Sequence, residues 1–212
     1  MSFCGLAGGS DGTTSRGRLS RKILVLGDGA CGKTSLLNVF TRGYFPQAYE
    51  PTVFENYVET LDVDGVGPME LSLWDTAGQE EFDKLRSLSY ADTHVVMLCF
   101  SADNPVSLEN VVSRWVPEIH DHCPGVRIVL VSLKCDLRQD DRVLEKLSKT
   151  GDVPITYEVG LQTARRIKAT RYLECSAKFN RGVSEAFVEA AKVAAGARAR
   201  GAKESGGGCV IC

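Results

Sequence analysis

Eight consecutive residues, GDGACGKT from Gly27 to Thr34, constrain this chain more than any other feature. They follow Lys22-Ile-Leu-Val-Leu-Gly27, a short apolar run ended by glycine, which reads as a buried parallel strand. After them, Leu36, Leu37 and Phe40 recur at helical spacing between Gly32 and Arg42. Strand, small-residue turn and helix, with G-x-x-x-x-G-K-[ST] across the junction, make a phosphate-binding loop. Small residues let successive backbone N–H groups curl into an anion nest, and the helix points its positive end at the same spot. Lys33 adds a point charge for β- and γ-phosphates, and the Thr34 hydroxyl is a ligand for Mg²⁺. A chance glycine-rich turn would not need the strand before it and the helix after it.

The rest of the chain continues the alternation. Residues 43–54 carry two prolines and little periodicity, and read as a loop of functional length. Glu55–Val63 and Met69–Asp75 flank an Asp64-Gly65 turn signal as an antiparallel pair, the second with Met69, Leu71 and Leu73 on one face. His94–Phe100 and Arg127–Leu133 are further buried strands, separated by a helix from about Val106 to Ile119. A helix near Glu158–Ala169, a strand at Arg171–Cys175 and a last helix with Val183, Ala186, Phe187, Ala190, Ala191 and Ala194 on one stripe complete the series. Such alternation calls for an α/β fold with a mostly parallel sheet covered on both faces. Right-handed crossovers then gather the loops at the strand C-terminal ends along one edge, where ligands bind.

Composition narrows the function. The 212 residues hold 25 Lys+Arg against 27 Asp+Glu, a formal net charge of -2, without the basic excess of a general nucleic-acid binder. No apolar run approaches the roughly 18 residues of a membrane span. The N-terminal segment has neither a secretory h-region nor a myristoylation glycine. With no signal peptide and no Asn-x-Ser/Thr acceptor, the eight cysteines read as reduced thiols of a cytosolic protein and not as a disulfide framework.

A second motif, Asp75-Thr-Ala-Gly78-Gln79, lies at the end of a predicted strand. There a carboxylate can hold Mg²⁺ through water, Gly78 can turn its N–H toward a γ-phosphate, and Gln79 can orient an attacking water. Thr52, between the first helix and second strand, can offer Mg²⁺ another hydroxyl.

With these motifs in place the chain resembles the small GTPases, specifically the Rho family. FPQAYEPTVFENY (Phe45–Tyr57), WDTAGQEEFDKLRSLSY (Trp74–Tyr90) and ECSAK (Glu174–Lys178) are similar to its switch I, switch II and base-contacting loop, over roughly residues 22–197. The charged stretch 137–157, helical between Asp140 and Lys149, sits where Rho proteins carry an inserted helix. The overall likeness is closest to a fungal Rho subgroup linked to polarised growth, actin organisation and exocytosis.

The resemblance implies a small G domain of the phosphate-loop hydrolase class, with a six-stranded, mostly parallel sheet, flanking helices and a Rho-type insert. It divides the chain into a disordered extension (1–21), the G domain (22–197, insert about 137–157) and a flexible tail (198–212). It implies a switch that cycles between GDP and GTP and hydrolyses GTP slowly until an activating protein supplies an arginine, a contribution of about 10³–10⁵ in rate. The catalytic set is then Gln79, Lys33 and Gly78, with Mg²⁺ on Thr34, Thr52 and, through water, Asp75. Nucleotide contacts come from Gly27, Asp28, Gly29, Ala30, Cys31, Gly32, Lys33, Thr34 and Ser35 around the phosphates. Phe45, Tyr49, Thr52, Asp75, Gly78 and Lys134 are further contacts, and Asp136, Ser176, Ala177 and Lys178 read the base. A carboxylate at Asp136 would pair with donors guanine has and adenine lacks, so ATP would leave it unpaired. Tyr49, Thr52, Val53, Phe54, Glu55, Asn56 and Tyr57 form the effector-facing switch. Implied partners are an exchange factor, a GTPase-activating protein, a guanine nucleotide dissociation inhibitor and effectors, with a monomer and no nucleic acid.

The terminal Cys209-Val-Ile-Cys212 fits the C-a-a-X prenylation pattern, with farnesyl favoured over geranylgeranyl. One lipid gives only marginal membrane affinity, so a second signal is expected, and Cys4 is the candidate for palmitoylation against an idle thiol. The expected location is the cytoplasmic face of the plasma membrane, with a cytosolic pool. Cys31 is either a thiol activated by the positive nest or a small apolar filler. Cys99, Cys135 and Cys175 fall in strands or at their ends as packing. The ligand-like cluster His120-Asp-His122-Cys123 points its side chains apart and is weak as a metal site.

Two other classes compete: a phosphate-loop kinase or ATPase, opposed by Asp136 and the Asp75–Gln79 turn, and a scaffold locked with GTP, opposed by Gly29, Thr52 and Gln79. One departure from the family pattern is Leu133, where Asn or Thr is usual and Asn ties the base loop to the phosphate loop. Guanine selectivity should survive through Asp136 while retention weakens. GDP release from Leu133→Asn should therefore be slower than from wild type, and equal rates in a fluorescent-nucleotide chase would refute this.

Overall fold

The computed structural model describes residues 19–48, 51, 52 and 54–197. Cys4, Tyr49, Val53 and Cys209, together with most of the expected extension and all of the tail, lie outside those residues. Among the described residues the chain forms one six-stranded sheet in the order β2-β3-β1-β4-β5-β6. The strands are β1 (Leu19–Gly27), β2 (Phe54–Val63), β3 (Gly67–Thr76), β4 (Val95–Ser101), β5 (Arg127–Leu133) and β6 (Arg171–Glu174). Only β2 and β3 pair antiparallel; every other neighbour is parallel. A hairpin needs only a turn, whereas each parallel step needs a crossover, and this chain supplies helices for them.

β1 is buried on both faces, and its alternate side chains feed two separate cores. Ile23 and Val25 enter one layer with Leu73, Met97, Val131 and Phe187. Leu24 and Leu26 enter the other with Val96, Leu98, Leu130 and Trp115. Helices α1 (Lys33–Arg42) and α7 (Val183–Ala195) cover the first face, where Phe40 and Phe187 stack with centroids 3.9 Å apart. The apolar stripe of α7 is fully used there, with Ala186, Phe187, Ala190, Ala191 and Ala194 at 0% exposure. β3 buries Met69, Leu71 and Leu73 while Glu70 and Ser72 lie on its half-buried face, as the alternation requires.

The opposite face is covered by a longer helical stretch than the periodicity predicts. It starts with Pro105 in the first turn and runs through α3 (Pro105–Asn110), a π-helical turn (Val111–Trp115) and α4 (Val116–His122). α6 (Tyr157–Arg166) ends three residues earlier than expected, with Ala169 N–H bonded to the Ala164 carbonyl as the chain turns toward β6. The insert contains α5 (Asp141–Ser148), whose N-terminus is capped by the Asp140 carboxylate accepting from Arg142 and Val143 N–H. Between β3 and β4, a 3₁₀ turn (Glu80–Phe82) leads into the short α2 (Asp83–Ser87).

From β1 the chain passes through α1 to the edge strand β2, returns by hairpin to β3 beside β1, and later crosses to β4 on the other side. Loops after β1 and β3 therefore meet at the strand C-terminal ends beside the reversal of strand order, where a crevice opens in sheets of this kind. Gly27 makes the exit from β1 possible: its φ is +142°, and a Cβ would lie 2.2 Å from the Cys99 carbonyl oxygen. No described helix is long and apolar enough to cross a membrane.

Candidate nucleotide site

The loop after β1 and the loop after β3 share one cavity of about 600 Å³. Its lining includes Gly29, Lys33, Thr34, Thr52, Gly78 and Gln79, so the two motifs and the intervening loop meet in space. Phe45 and Lys134 close it from the side of switch I and the end of β5. The meeting is fixed by register, because Val25 of β1 pairs with Asp75 of β3 two residues before Gly27. Gly78 lies directly on the phosphate loop: a Cβ there would be 2.3 Å from the Gly29 nitrogen. Any larger residue would drive the two loops apart.

Lys33 is 6% exposed, and its ammonium donates to the Gly27 and Asp28 carbonyl oxygens at 2.8 and 2.9 Å. Backbone dipoles thus hold a desolvated cation at the mouth of the nest without neutralising it. The Thr34 hydroxyl donates to Asp75 Oδ2 at 2.6 Å. Because that proton is used, the Thr52 hydroxyl donates to Thr34 Oγ1 in turn. Asp75 is fully buried, and its Oδ1 has no hydrogen-bond partner. Burial pushes its carboxyl up to about 6, against the opposing pull of Lys33 and the Thr34 bond. An orphaned carboxylate oxygen beside two hydroxyls is a hard-oxygen donor set that fits a small divalent cation.

Not every expected contact faces the cavity. The Asp28 carboxylate turns away and accepts from Trp115 Nε1 and Asn110 Nδ2, each at 2.7 Å. Only its backbone carbonyl, bonded to Lys33, serves the nest. Cys31 is 2% exposed, and burial raises its thiol despite the lowering influence of Lys33. The positive field therefore loses to desolvation, and the packing reading of Cys31 is the one the geometry favours. Cys99 and Cys175 are buried, whereas Cys135 is half-buried with its Sγ 3.3 Å from the Ser132 carbonyl. His122 stacks on Tyr90, and Cys123 Sγ donates to the Tyr90 carbonyl, so both face that ring's surroundings.

Asp136, Ser176, Ala177 and Lys178 are not among the lining residues. They sit just past β5 and β6, in loops joined by Cys135 N–H to the Cys175 carbonyl. Arg138 bonds both oxygens of Glu174 at 2.6 Å and the Ile155 carbonyl at 2.6 Å, bracing those loops against the exit of the insert. Lys134, at φ +54°, donates to the Ala30 carbonyl at 2.9 Å. This is a bond between base loop and phosphate loop of the kind Leu133 cannot make, while Leu133 itself packs 3.7 Å from where a Gly32 Cβ would be. Of the expected switch residues, Phe54 packs edge-on against Trp74, Glu55 and Asn56 are exposed, and the Tyr57 hydroxyl bonds the Glu55 carboxylate.

Sequence reasoning did not single out Arg86, Asn110, Trp115 or Glu118. Arg86 is buried, donates to the Ala77 and Gln79 carbonyls at 3.0 and 3.3 Å, and is held by Glu118 Oε1 at 2.8 Å. Its sequence signal was weak, since one arginine in a charged stretch reads as solvated surface.

Comparison with known proteins agrees with this fold. The family model described as "Ras family" matches residues 22–195. The chain is 62% identical to GTP-binding protein rho3 of Schizosaccharomyces pombe over 196 residues, covering 90% of this chain and 93% of that protein. It is 55% identical to GTP-binding protein RHO3 of Saccharomyces cerevisiae, with all of both chains covered. GTP-binding protein rho1 of S. pombe is 53% identical over 83% of this chain and 87% of that protein.

The raised Asp75 carboxyl makes a pH prediction. Folded Asp75 keeps its proton up to about 6, whereas the unfolded group loses it near 3.8. Between these values the folded state binds more protons, so this group's contribution to stability falls as pH rises. In nucleotide-free protein without divalent cations, the melting temperature of Asp75→Asn should exceed that of wild type by more at pH 7.5 than at pH 5, because the loss that begins near 3.8 is complete only above about 6. A constant difference between the two pH values would contradict the assignment.

Proposed function

The chain belongs to the Ras family, as a Rho-type GTP-binding protein and GTP hydrolase, and on that premise we propose how its residues bind, hold and cleave the nucleotide. The observation that carries the reading is the convergence of Lys33, Thr34, Thr52 and the orphaned Asp75 oxygen in one cavity at the end of β1. The N–H groups from Gly27 to Ser35 cradle the α- and β-phosphates. Lys33 exchanges its two carbonyl partners for β- and γ-phosphate oxygens. Thr34 and Thr52 would hold Mg²⁺ through their hydroxyls, and Asp75 would do so through water. When bound, the cation neutralises charge on the β- and γ-phosphate oxygens.

Phe45 packs on the guanine, Lys134 lies along base and ribose, and the Asp136 carboxylate accepts from the base N1–H and N2–H₂. The Ala177 N–H donates to guanine O6, with Ser176 and Lys178 fixing that loop. Ser176 already does so in part, its buried hydroxyl accepting the Phe179 N–H at 3.3 Å. Gln79 orients the attacking water, and the Gly78 N–H meets a γ-phosphate oxygen. Contacts from Thr52 and Gly78 to that phosphate order the two switch loops, and its loss releases them. The surface from Tyr49 to Tyr57 then gains or loses its effectors, under an exchange factor, an activating protein and a dissociation inhibitor.

The G domain runs to residue 197 from the start of β1 at Leu19, three residues before the boundary expected from sequence, and residues on either side attach it to membrane. Prenylated Cys209, reinforced by an acylated Cys4, places the monomer on the cytoplasmic face of the plasma membrane with a cytosolic pool. There it would act in actin organisation, cell polarity and exocytosis.

Competition of GTP and ATP against a fluorescent GDP, with single-turnover phosphate release, tests the core of this reading. GTP and not ATP should displace the probe, Thr34→Asn should weaken Mg²⁺-dependent GTP binding, and Gln79→Leu should remain loaded with GTP when an activating protein is added. Displacement by ATP at equal concentration, or normal stimulated hydrolysis by Gln79→Leu, would overturn it. For the anchor, Cys209→Ser should move the protein from membrane to cytosolic fractions, and Cys4→Ser should reduce membrane retention. Unchanged fractionation of Cys209→Ser would refute prenylation there.

A further inference from the structure

The polar cluster around the buried Trp115 lies outside the cavity, yet it touches both loops that form it. Asn110 and Trp115 are five positions apart, which in a regular α-helix would put them about 140° apart around the axis. Between them the helix widens: the Val116 N–H bonds to the Val111 carbonyl, five residues back. That wider turn brings residues five apart toward one face. As a result the Asn110 amide and the Trp115 indole N–H reach the two oxygens of a single carboxylate, Asp28, each at 2.7 Å.

The same indole supports the other loop. The Arg86 guanidinium lies 4.8 Å and that of Arg114 4.6 Å from the Trp115 ring centroid. Arg86 holds the carbonyls of Ala77 and Gln79, and both oxygens of Glu118 fix its orientation at 2.8 and 3.0 Å. Glu118 also accepts from the Tyr90 hydroxyl at 2.7 Å. Trp115 is thus bonded through its N–H to the phosphate loop and through its ring face to the arginine that carries the backbone of Gln79.

We propose that Asp28, Asn110 and Trp115 form a positioning latch in which the π turn sets the distance between the phosphate loop and Gln79. None of the three side chains needs to touch nucleotide. Their action runs through the Asp28 backbone, which is part of the phosphate loop, and through Arg86, whose guanidinium holds the Gln79 carbonyl. The latch rests on the role given to Gln79 above, and displacements of order 1 Å at such a centre can cost about a hundredfold in rate.

Single-turnover GTP hydrolysis by the full chain tests it, with bound nucleotide and thermal melting measured on each variant. Trp115→Phe keeps a ring for the arginines and removes the indole donor. Asn110→Asp, at a half-buried position, sets a second carboxylate against Asp28. Each should slow hydrolysis about tenfold with GTP still bound stoichiometrically. Adding Asp28→Asn to Asn110→Asp should restore most of the rate, because the amide then donates to the exchanged carboxylate while its oxygen still receives the indole N–H. A second readout uses Trp74→Phe, which leaves Trp115 as the single tryptophan of the two in the chain. Its emission should change between GDP and a non-hydrolysable GTP analogue, and Arg86→Lys should abolish that change. Wild-type rates in both single variants, a double variant as slow as Asn110→Asp, or an invariant emission would overturn the latch. Normal stimulated hydrolysis by Gln79→Leu would instead remove the role of Gln79 on which it rests.

Discussion

The structure depends on burying a lysine and an aspartate in the same cavity without letting them neutralise each other. Charges removed from water are costly unless paired or hydrogen-bonded. Lys33 meets that cost with two backbone carbonyls, whereas Asp75 has one hydroxyl donor and an oxygen left bare. The imbalance shows in the raised Asp75 carboxyl. A site that holds a cation on neutral carbonyls without a counter-charge, beside an anionic group with a bare oxygen, is preorganised for a ligand that brings both signs, as a phosphate chain with its divalent counter-ion does.

Holding those groups in place is the work of the sheet. β1 is buried on both faces and pairs with β3 and β4 alike, so the loops after β1 and β3 leave from adjacent, rigid strand ends. Gly27 and Gly78 then remove the side chains that would keep the loops apart. The second face adds a device of a different kind. A helix widened by one π turn grips the phosphate loop through Asp28 and supports Arg86 through Trp115. The first face fixes where the phosphate loop begins, and the second fixes how it stands relative to Gln79.

Much of this was legible in the chain. The strand–turn–helix around Gly27–Thr34 and the alternation of Met69, Leu71 and Leu73 are local patterns, and each appears where its periodicity places it. Element ends were less legible. Pro105 extends the central helix backward, and the π turn carries it on to His122, a deviation that averaged periodicity does not record. Within the site, Lys33, Thr34, Thr52, Gly78 and Gln79 were foreseeable because their residue types follow from phosphate chemistry. Arg86 was not, because its burial depends on Glu118, 32 residues away, and on the indole beneath it. At Cys31 a positive nest and desolvation act in opposite directions, and only the packing shows which is larger.

The sequence by itself determined a phosphate-binding α/β domain, a chain without the charge excess for nucleic acid, and the residues of the two motifs that line one cavity after β1 and β3. These follow from local spacing and from what each side chain can donate, accept or exclude. Tertiary structure alone decided that the Asp28 carboxylate faces a helix and not the cavity, that Lys134 ties the loop after β5 to Ala30, and that Asp75 keeps a bare oxygen. The physical reason is distance along the chain. Asp28 meets Asn110 and Trp115 from 82 and 87 residues away, and Lys134 meets Ala30 from 104. Contacts of that separation are set by strand register and helix packing, which no local pattern specifies.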